Sequence, residues 1–414
     1  MGLSLHKAML DKEDHIMIGN VQVDTTAFVD DAAQADSTSN GVRSTGKCLT
    51  NTLDELGLSA HPTKSVRVTC GPAAKKRQIM NDLEKDPQMI QGSVINEAEE
   101  ERYLGLIFTN KGPKKNISRN IEDKRAKVLV KVKQIKRILK NPAILKMGWM
   151  RAAIGLLQSI VVQTILYGTI SFIGMNKSQV KELELIQKDA IYDVLELSKF
   201  ANYNAVLQEI GIIRLEDAIK LRKMSFINKL MVARETCKCR DILLAEDKLP
   251  NQSGLLDEVR QYCQEFEVPD VTEIPLRKDD LKDQVKRLAT QHTWFPLMKS
   301  SKVVMRWDPE KNSNRQYFSF EKLESRLMLA LRIGELDFLT NRRRENISKW
   351  GSTHCFVQVC GGEDSLEHVS QCFGYESTFN KKDSSEQAQA EYLVALNRER
   401  LKKYRRPLIY HRKS

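Results

Sequence analysis

Apolar positions along the chain keep two rhythms, a short one first and a long one after it. Val21–Val29 is rich in Val, Thr and Phe and ends at Asp30-Asp31, so it reads as a strand running into an acidic turn, with Ala32-Ala33 apolar again beyond it. Gly41–Leu56 carries Val42, Leu49, Leu53 and Leu56 on one side, which predicts an amphipathic helix stopped by Gly57. Val66–Thr69 and Tyr103–Thr109 are short strand candidates, the second ended by Asn110-Lys111-Gly112. After Pro113 the period becomes helical. Ile117–Leu139 places Ile121, Val128, Val132, Ile135 and Leu139 along one stripe, and Pro142 breaks it. Ser178–Leu197 repeats the pattern with Val180, Leu183, Ile186, Ala190, Ile191 and Val194. Ala205–Ile210 ends at Gly211, Leu215–Val232 gives one more helix, and Phe320–Leu331 another. The span Cys237–Pro309 is polar and less regular, a helical insert or linker. No segment repeats at a fixed period, which speaks against a solenoid. The expected fold class is α+β, mainly α, with a short antiparallel sheet and one helix first. The segments are 1–112, 113–235, 236–345 and 346–414.

Charge sharpens this outline. Lys plus Arg exceed Asp plus Glu by 66 to 54 in 414 residues, a net charge of +12. Between Lys111 and Lys140 stand twelve basic residues against Glu122 and Asp123, so most of the surplus sits in one stretch. A second cluster, Arg398–Lys413, has eight basic residues against Glu399. Such fields attract polyanions through phosphate contacts and counterion release; solvated helix faces are the alternative. The stretch Ala152–Asn176 has no charged residue and the length of a spanning helix. Gln158, Ser159, Gln163, Thr164, Thr169 and Ser171 interrupt it, so we expect a buried helix and no membrane partner. The eight cysteines are too unevenly spaced for a disulfide framework, and the N-terminus has no secretory pattern. That points to nucleus or cytoplasm and not to secretion.

Two constellations could carry chemistry. Asp30 and Asp31 lie between apolar stretches, where a carboxylate pair at a strand–turn–strand tip can hold Mg²⁺, a cation that takes one or two carboxylates plus substrate phosphates. A solvated acidic turn is the other reading. Cys355, Cys360, His368 and Cys372 form C-x4-C-x7-H-x3-C, three thiolates and an imidazole, the ligand set of a closed structural zinc site. Gly361-Gly362 supplies a turn, and four unrelated core residues are the alternative. Cys237 and Cys239 have no partner set nearby, and no metal is expected there.

The order of these pieces resembles the reverse transcriptase of non-LTR retrotransposons. Phe28-Val29-Asp30-Asp31 is followed by a helix, by Gly57-Leu58-Ser59 through Lys64-Ser65, and by Tyr103-Leu104-Gly105. That succession is similar to a polymerase palm, in which Tyr103-Leu104-Gly105 matches a hairpin that supports the primer grip, or is a strand core with a turn glycine. Gln163–Ser171 with Ile165-Leu166-Tyr167-Gly168, Leu183–Lys188, Glu209-Ile210-Gly211 and Leu221-Arg222 are similar to the helices that follow the thumb. Cys360-Gly361 through His368 and Cys372 is similar to the family's C-terminal zinc knuckle. The resemblance implies a truncated palm over 1–112, a helical thumb and extension over 113–235, a helical insert over 236–345, and a knuckle with a basic C-terminal helix over 346–414.

It also implies roles. Asp30 and Asp31 would be the catalytic, magnesium-binding carboxylates. Lys64 would protonate the departing pyrophosphate, or is a plain surface lysine. Phe28, Tyr103 and Gly105 would lie against primer or template. Lys114, Lys115, Arg119, Lys124 and Lys127 would contact phosphates, as would Arg405 and Arg406 in the tail. Only 29 residues precede Asp30, and the family's palm needs a further aspartate and the fingers upstream. The expectation is therefore a fragment of an RNA-directed DNA polymerase that is inactive alone. Its partners are RNA or DNA, its cofactors structural zinc and, in a complete palm, magnesium, and no small-molecule substrate is expected. The alternative is a non-enzymatic RNA- or DNA-binding protein that uses the thumb helices and the knuckle.

Overall fold

A computed structural model describes residues 17–18, 21–22, 25–28, 31–61, 64–146, 148–199, 201–233, 237–248, 254–298, 315–333, 387, 390–391, 393–395 and 397–398. The chain is mainly helical with a few short strands, an α+β arrangement dominated by α. Two compact units emerge. The first joins 1–124, 168–180 and 219–282; the second joins 125–167, 181–218 and 283–414. Each unit draws on several of the segments delimited from the sequence.

In the first unit the strands make separate two-stranded sheets among the described residues. The expected strand Val21–Val29 is interrupted. Val21–Gln22 (β2) pairs with Met17–Ile18 (β1), while Thr25–Phe28 (β3) pairs antiparallel with Asp31–Gln34 (β4). Helix α1 (Ser39–Glu55) starts at Thr38, whose hydroxyl accepts from the Gly41 amide at 2.9 Å. That bond satisfies one of the orphan donors of the first turn. The buried face of α1 is Gly41, Thr45, Gly46 and Thr52, not the predicted leucine stripe. The cause is Gly46: a Cβ there would lie 2.5 Å from the Met89 carbonyl, so the helix meets strand Met89–Ile90 (β6) backbone to backbone. Gln91, at the tip between β6 and Ser93–Val94 (β7), fastens the contact. Its amide group bonds Asp54 (2.7 Å), the Leu58 carbonyl (2.8 Å) and the Ala60 N–H (2.7 Å). Arg43 then ties α1 to helix α2 (Ala73–Lys85) through the Asp82 and Asp86 carbonyls. Val66–Arg67 (β5) pairs in parallel with Asn96–Glu97 (β8).

Tyr103–Thr109 is half of a hairpin rather than one strand. Glu100–Tyr103 (β9) turns at Leu104-Gly105, both at positive φ (46° and 79°), and returns as Leu106–Thr109 (β10). Helix α3 (Pro113–Ile138) follows. Its predicted stripe is buried in full, at Ile121, Val128, Val132, Ile135 and Leu139.

In the second unit the uncharged stretch forms a continuous helix, Trp149–Leu156 passing through a π-helical turn at Leu157–Val162 into Gln163–Leu166. By length and composition it is apolar enough to cross a membrane. Trp149, Met150, Ala153, Leu157, Val161 and Ile165 bury one face, while Gln158, Ser159 and Gln163 lie on the exposed one. Buried and half-buried ion pairs add anchors. Glu209, 1% exposed, receives Arg315 and Arg332, and Glu196 receives Lys322 and Arg326 (2.5 and 2.9 Å). The span read as a helical insert or linker, most of which belongs to the first unit, holds three helices among its described residues, Lys238–Glu246, Leu255–Glu265 and Lys278–Met298.

Candidate nucleic-acid interface

The hairpin β9–β10 is held edge-on to α3 by two asparagines one helical turn apart. Asn120 accepts from the Ile107 N–H (2.9 Å) and donates to the Ile107 carbonyl (2.7 Å). Asn116 accepts from the Thr109 N–H (2.7 Å) and its hydroxyl (2.8 Å). The spacing of four residues on a helix matches the spacing of two on a strand, so the side-chain amides take the place of a third strand on the free edge of β10. Two ion pairs brace the other strand. Arg102 binds Asp123 at 2.7 Å, and Arg119 binds Glu100 through two nitrogens at 2.9 and 3.0 Å. The Arg119 hydrogen bond holds the Glu100 carboxyl below its ordinary range. The hairpin tip, with exposed Leu104 between half-buried Tyr103 and Gly105, is thus fixed relative to the first turns of α3. Neither asparagine stood out in the sequence, because an i,i+4 polar pair on a polar face has no pattern of its own.

Gly168 shows a second close approach. It has φ 69°, and a Cβ there would run into the Leu106 side chain at the start of β10. Gly168 belongs to the Ile165-Leu166-Tyr167-Gly168 run noted in the sequence, and this contact is a physical reason for a glycine there.

The predicted phosphate-binding residues separate into two groups. Lys114, Lys115 and Lys127 are exposed. Arg119 is engaged by Glu100 and by Glu122 at 3.2 Å. Lys124 is 4% exposed, with its ammonium 5.6 Å from the Phe172 ring centre, and cannot reach a polyanion. The signal was present in the sequence: 124 lies three residues after Ile121 and four before Val128, on the apolar stripe itself. Lys124 therefore leaves the expected contact set, while Arg119 stays half-exposed with its charge paired. Further cations arrive from α2, where Lys75 and Arg77 are exposed and Lys76 Nζ donates to the Asn110 carbonyl at 3.4 Å.

At the expected catalytic turn, Phe28 stands opposite Asp31 in the β3–β4 register. Asp30 lies outside the described residues. Lys64 is exposed in a turn, its N–H bonded to the His61 carbonyl at 3.1 Å. Cys355, Cys360, His368, Cys372, Arg405 and Arg406 also lie outside the described residues. Among the described residues no group of three or more His, Cys, Asp or Glu side chains is arranged to hold a metal ion. The expected magnesium and zinc sites thus rest on the donor chemistry of their residues alone. No protein-family model matches this chain, and no curated protein matches it.

Proposed function

We propose that this chain is part of an RNA-directed DNA polymerase of the non-LTR retrotransposon type, and that its hairpins and basic helix hold nucleic acid. The observation that carries this reading is the hairpin at Leu104-Gly105, locked by Asn116 and Asn120 to a helix whose first turn exposes Lys114 and Lys115. A rigid hairpin whose open end adjoins an exposed cationic turn suits a backbone that must be held in register, since phosphate contacts position a nucleic acid without reading its sequence. The β3–β4 pairing supports it from the other end, because it sets paired strands on both sides of residues 29–30. In this reading Asp30 and Asp31 would hold Mg²⁺, which stabilises the charges of phosphoryl transfer. Cys355, Cys360, His368 and Cys372 would hold a structural zinc.

Titration of labelled single-stranded RNA and DNA at rising salt tests the binding claim. Affinity should fall on a log–log plot with a slope of about 0.7 per phosphate contacted. A curve flat between low and moderate salt would overturn it. Primer extension on an RNA template, compared with Asp30→Asn, tests the Asp30 role apart from binding. Product lost in the variant supports a polymerase acting through Asp30, and product unchanged in the variant overturns that role; no product from either protein agrees both with the expected inactive fragment and with the non-enzymatic alternative. Metal analysis of the wild type and of Cys360→Ser tests the zinc, and an apo wild type removes it.

A further inference from the structure

The sequence sets its densest basic run on one helix, but the fold divides that run and adds to it. Helix α2 opens with Ala73-Ala74-Lys75-Lys76-Arg77-Gln78, and of residues 71–78 all are exposed except half-buried Lys76. Two contacts hold this start against the loop that leads into α3: Lys76 Nζ to the Asn110 carbonyl at 3.4 Å, and Cys70 Sγ to the Thr109 carbonyl at 3.3 Å. Lys114 and Lys115 follow within five residues of Asn110, and the Lys115 N–H bonds back to Gly112 at 3.1 Å. Chain geometry therefore keeps their backbone within about 15 Å of the Lys76 ammonium.

Three of the neighbouring acids are already engaged. Glu97 serves Arg67 and Thr69, Glu100 serves Arg119, and Glu99 lies 3.5 Å from Lys111. Neither α2 nor α3 has an acid in its first turn. Among the described residues no ion pair engages Lys75, Lys76, Arg77, Lys114 or Lys115. Five cations from two elements, gathered without counter-charges, make a local field that draws polyanions. Beside them stands Phe108, 43% exposed on the strand that ends at Thr109. Glu101, its cross-strand neighbour, is the nearest exposed acid in that register. An exposed ring next to a cationic strip is the arrangement that holds unpaired bases, because every base has a face to stack. A duplex hides those faces.

We propose that Lys75, Lys76, Arg77, Lys114 and Lys115 form one phosphodiester-binding strip, with Phe108 as its stacking platform, that takes single-stranded rather than duplex nucleic acid. This rests on the nucleic-acid reading above and adds α2, a helix that reading does not use.

The test uses the full chain and a labelled single strand of roughly fifteen nucleotides, near the upper site size of single-strand-binding folds, with a duplex of equal length beside it. Lys75, Lys76 and Arg77 are changed together to Gln. A control changes Lys282, Lys286 and Arg287 to Gln, which removes the same charge from exposed positions of Lys278–Met298. The α2 triple variant should weaken single-strand binding at least tenfold and reduce the salt slope by about two, at about 0.7 for each of three contacts. The control should stay within twofold of wild type. Phe108→Ala should weaken single-strand binding by about five-fold or more with the slope unchanged. An α2 variant no weaker than the control overturns the strip, and so does duplex binding as tight as single-strand binding. Unchanged affinity in Phe108→Ala overturns the stacking platform. Steep salt dependence in the wild type with no difference between α2 and control leaves the nucleic-acid reading standing and removes only the strip. No binding at low salt by the wild type removes both.

Discussion

Two asparagines close the free edge of a hairpin, and their removal has a calculable cost. Asn120 is buried, and truncating it strands both polar groups of Ile107. Each unsatisfied buried group costs about 1–3 kcal/mol, so Asn120→Ala should destabilise the chain by about 2–4 kcal/mol. Asn116→Ala, which releases only donors at Thr109, should cost about half as much. Urea midpoints of the three proteins check the order, and equal midpoints would refute it. Lys223 is a second residue with a defined signature. Its ammonium is fully buried, bonded to the Phe172 carbonyl (2.7 Å) and to Glu258 (2.5 Å). Burial lowers its pKa below the ordinary lysine value, against the pull of Glu258. Below the folded pKa both states hold the proton, and the full cost of burying the charge stands. As pH rises through the folded pKa the native state releases its proton first, and stability climbs until the ordinary lysine value is reached. Wild-type stability relative to Lys223→Met should therefore increase with pH in the alkaline range. Denaturation of both proteins at several alkaline pH values measures this, and a falling difference would reverse the sign.

Among the elements, the helices differ in what their glycines face. Gly46 in α1 sits where a Cβ would meet the Met89 carbonyl, whereas a Cβ at Gly155 would meet nothing within 4 Å. Helix propensity alone favours Ala at both by about 1 kcal/mol. At Gly155 nothing opposes it, and Gly155→Ala should stabilise by about 0.5–1 kcal/mol. At Gly46 the obstruction is backbone, which cannot rotate away, so overpacking of about 1–3 kcal/mol should win and the variant should be less stable. Thermal midpoints that move the same way in both variants would disprove the contact. The same approach explains what the sequence concealed. The leucine stripe of α1 was legible and α1 was placed correctly, but which face lies inside is decided by a carbonyl 43 residues away in sequence. Helix α3 had no such partner, and its stripe marked its buried face in advance. The reversal at Leu104-Gly105 was implied by the resemblance but not by the hydrophobic pattern, because leucine rarely takes positive φ and only the glycine after it marks a turn. Helix α2 has one buried residue, Leu83, too few to give a periodic signal. The span Cys237–Pro309 did carry one, in Leu255, Leu256, Val259 and Cys263, diluted by the polar residues around it.

For the molecule, the consequence is that no stretch cut at the sequence boundaries is complete. The first compact unit needs 1–124 together with 168–180 and 219–282. The contacts say why. Leu106 packs on Gly168, the amide of Gln179 donates to the Lys114 carbonyl and the Ser118 hydroxyl (3.2 Å each), and Lys124 lies under Phe172. A fragment of residues 1–112 keeps the β9–β10 hairpin but loses Asn116 and Asn120 from its edge, Arg119 from Glu100, and Gly168 from Leu106. An isolated two-stranded hairpin is marginal in water, and the described sheets of this segment are all two-stranded. The candidate interface fails with it, since the strip from Lys75 to Lys115 exists only while Asn110 is held between α2 and α3. The 1–112 fragment should therefore give no cooperative urea transition and poorly dispersed amide resonances, where the full chain unfolds cooperatively. A sigmoidal transition in the fragment, with a slope in proportion to its length, would mean that the N-terminal segment folds alone and that the asparagine edge is ornament rather than scaffold.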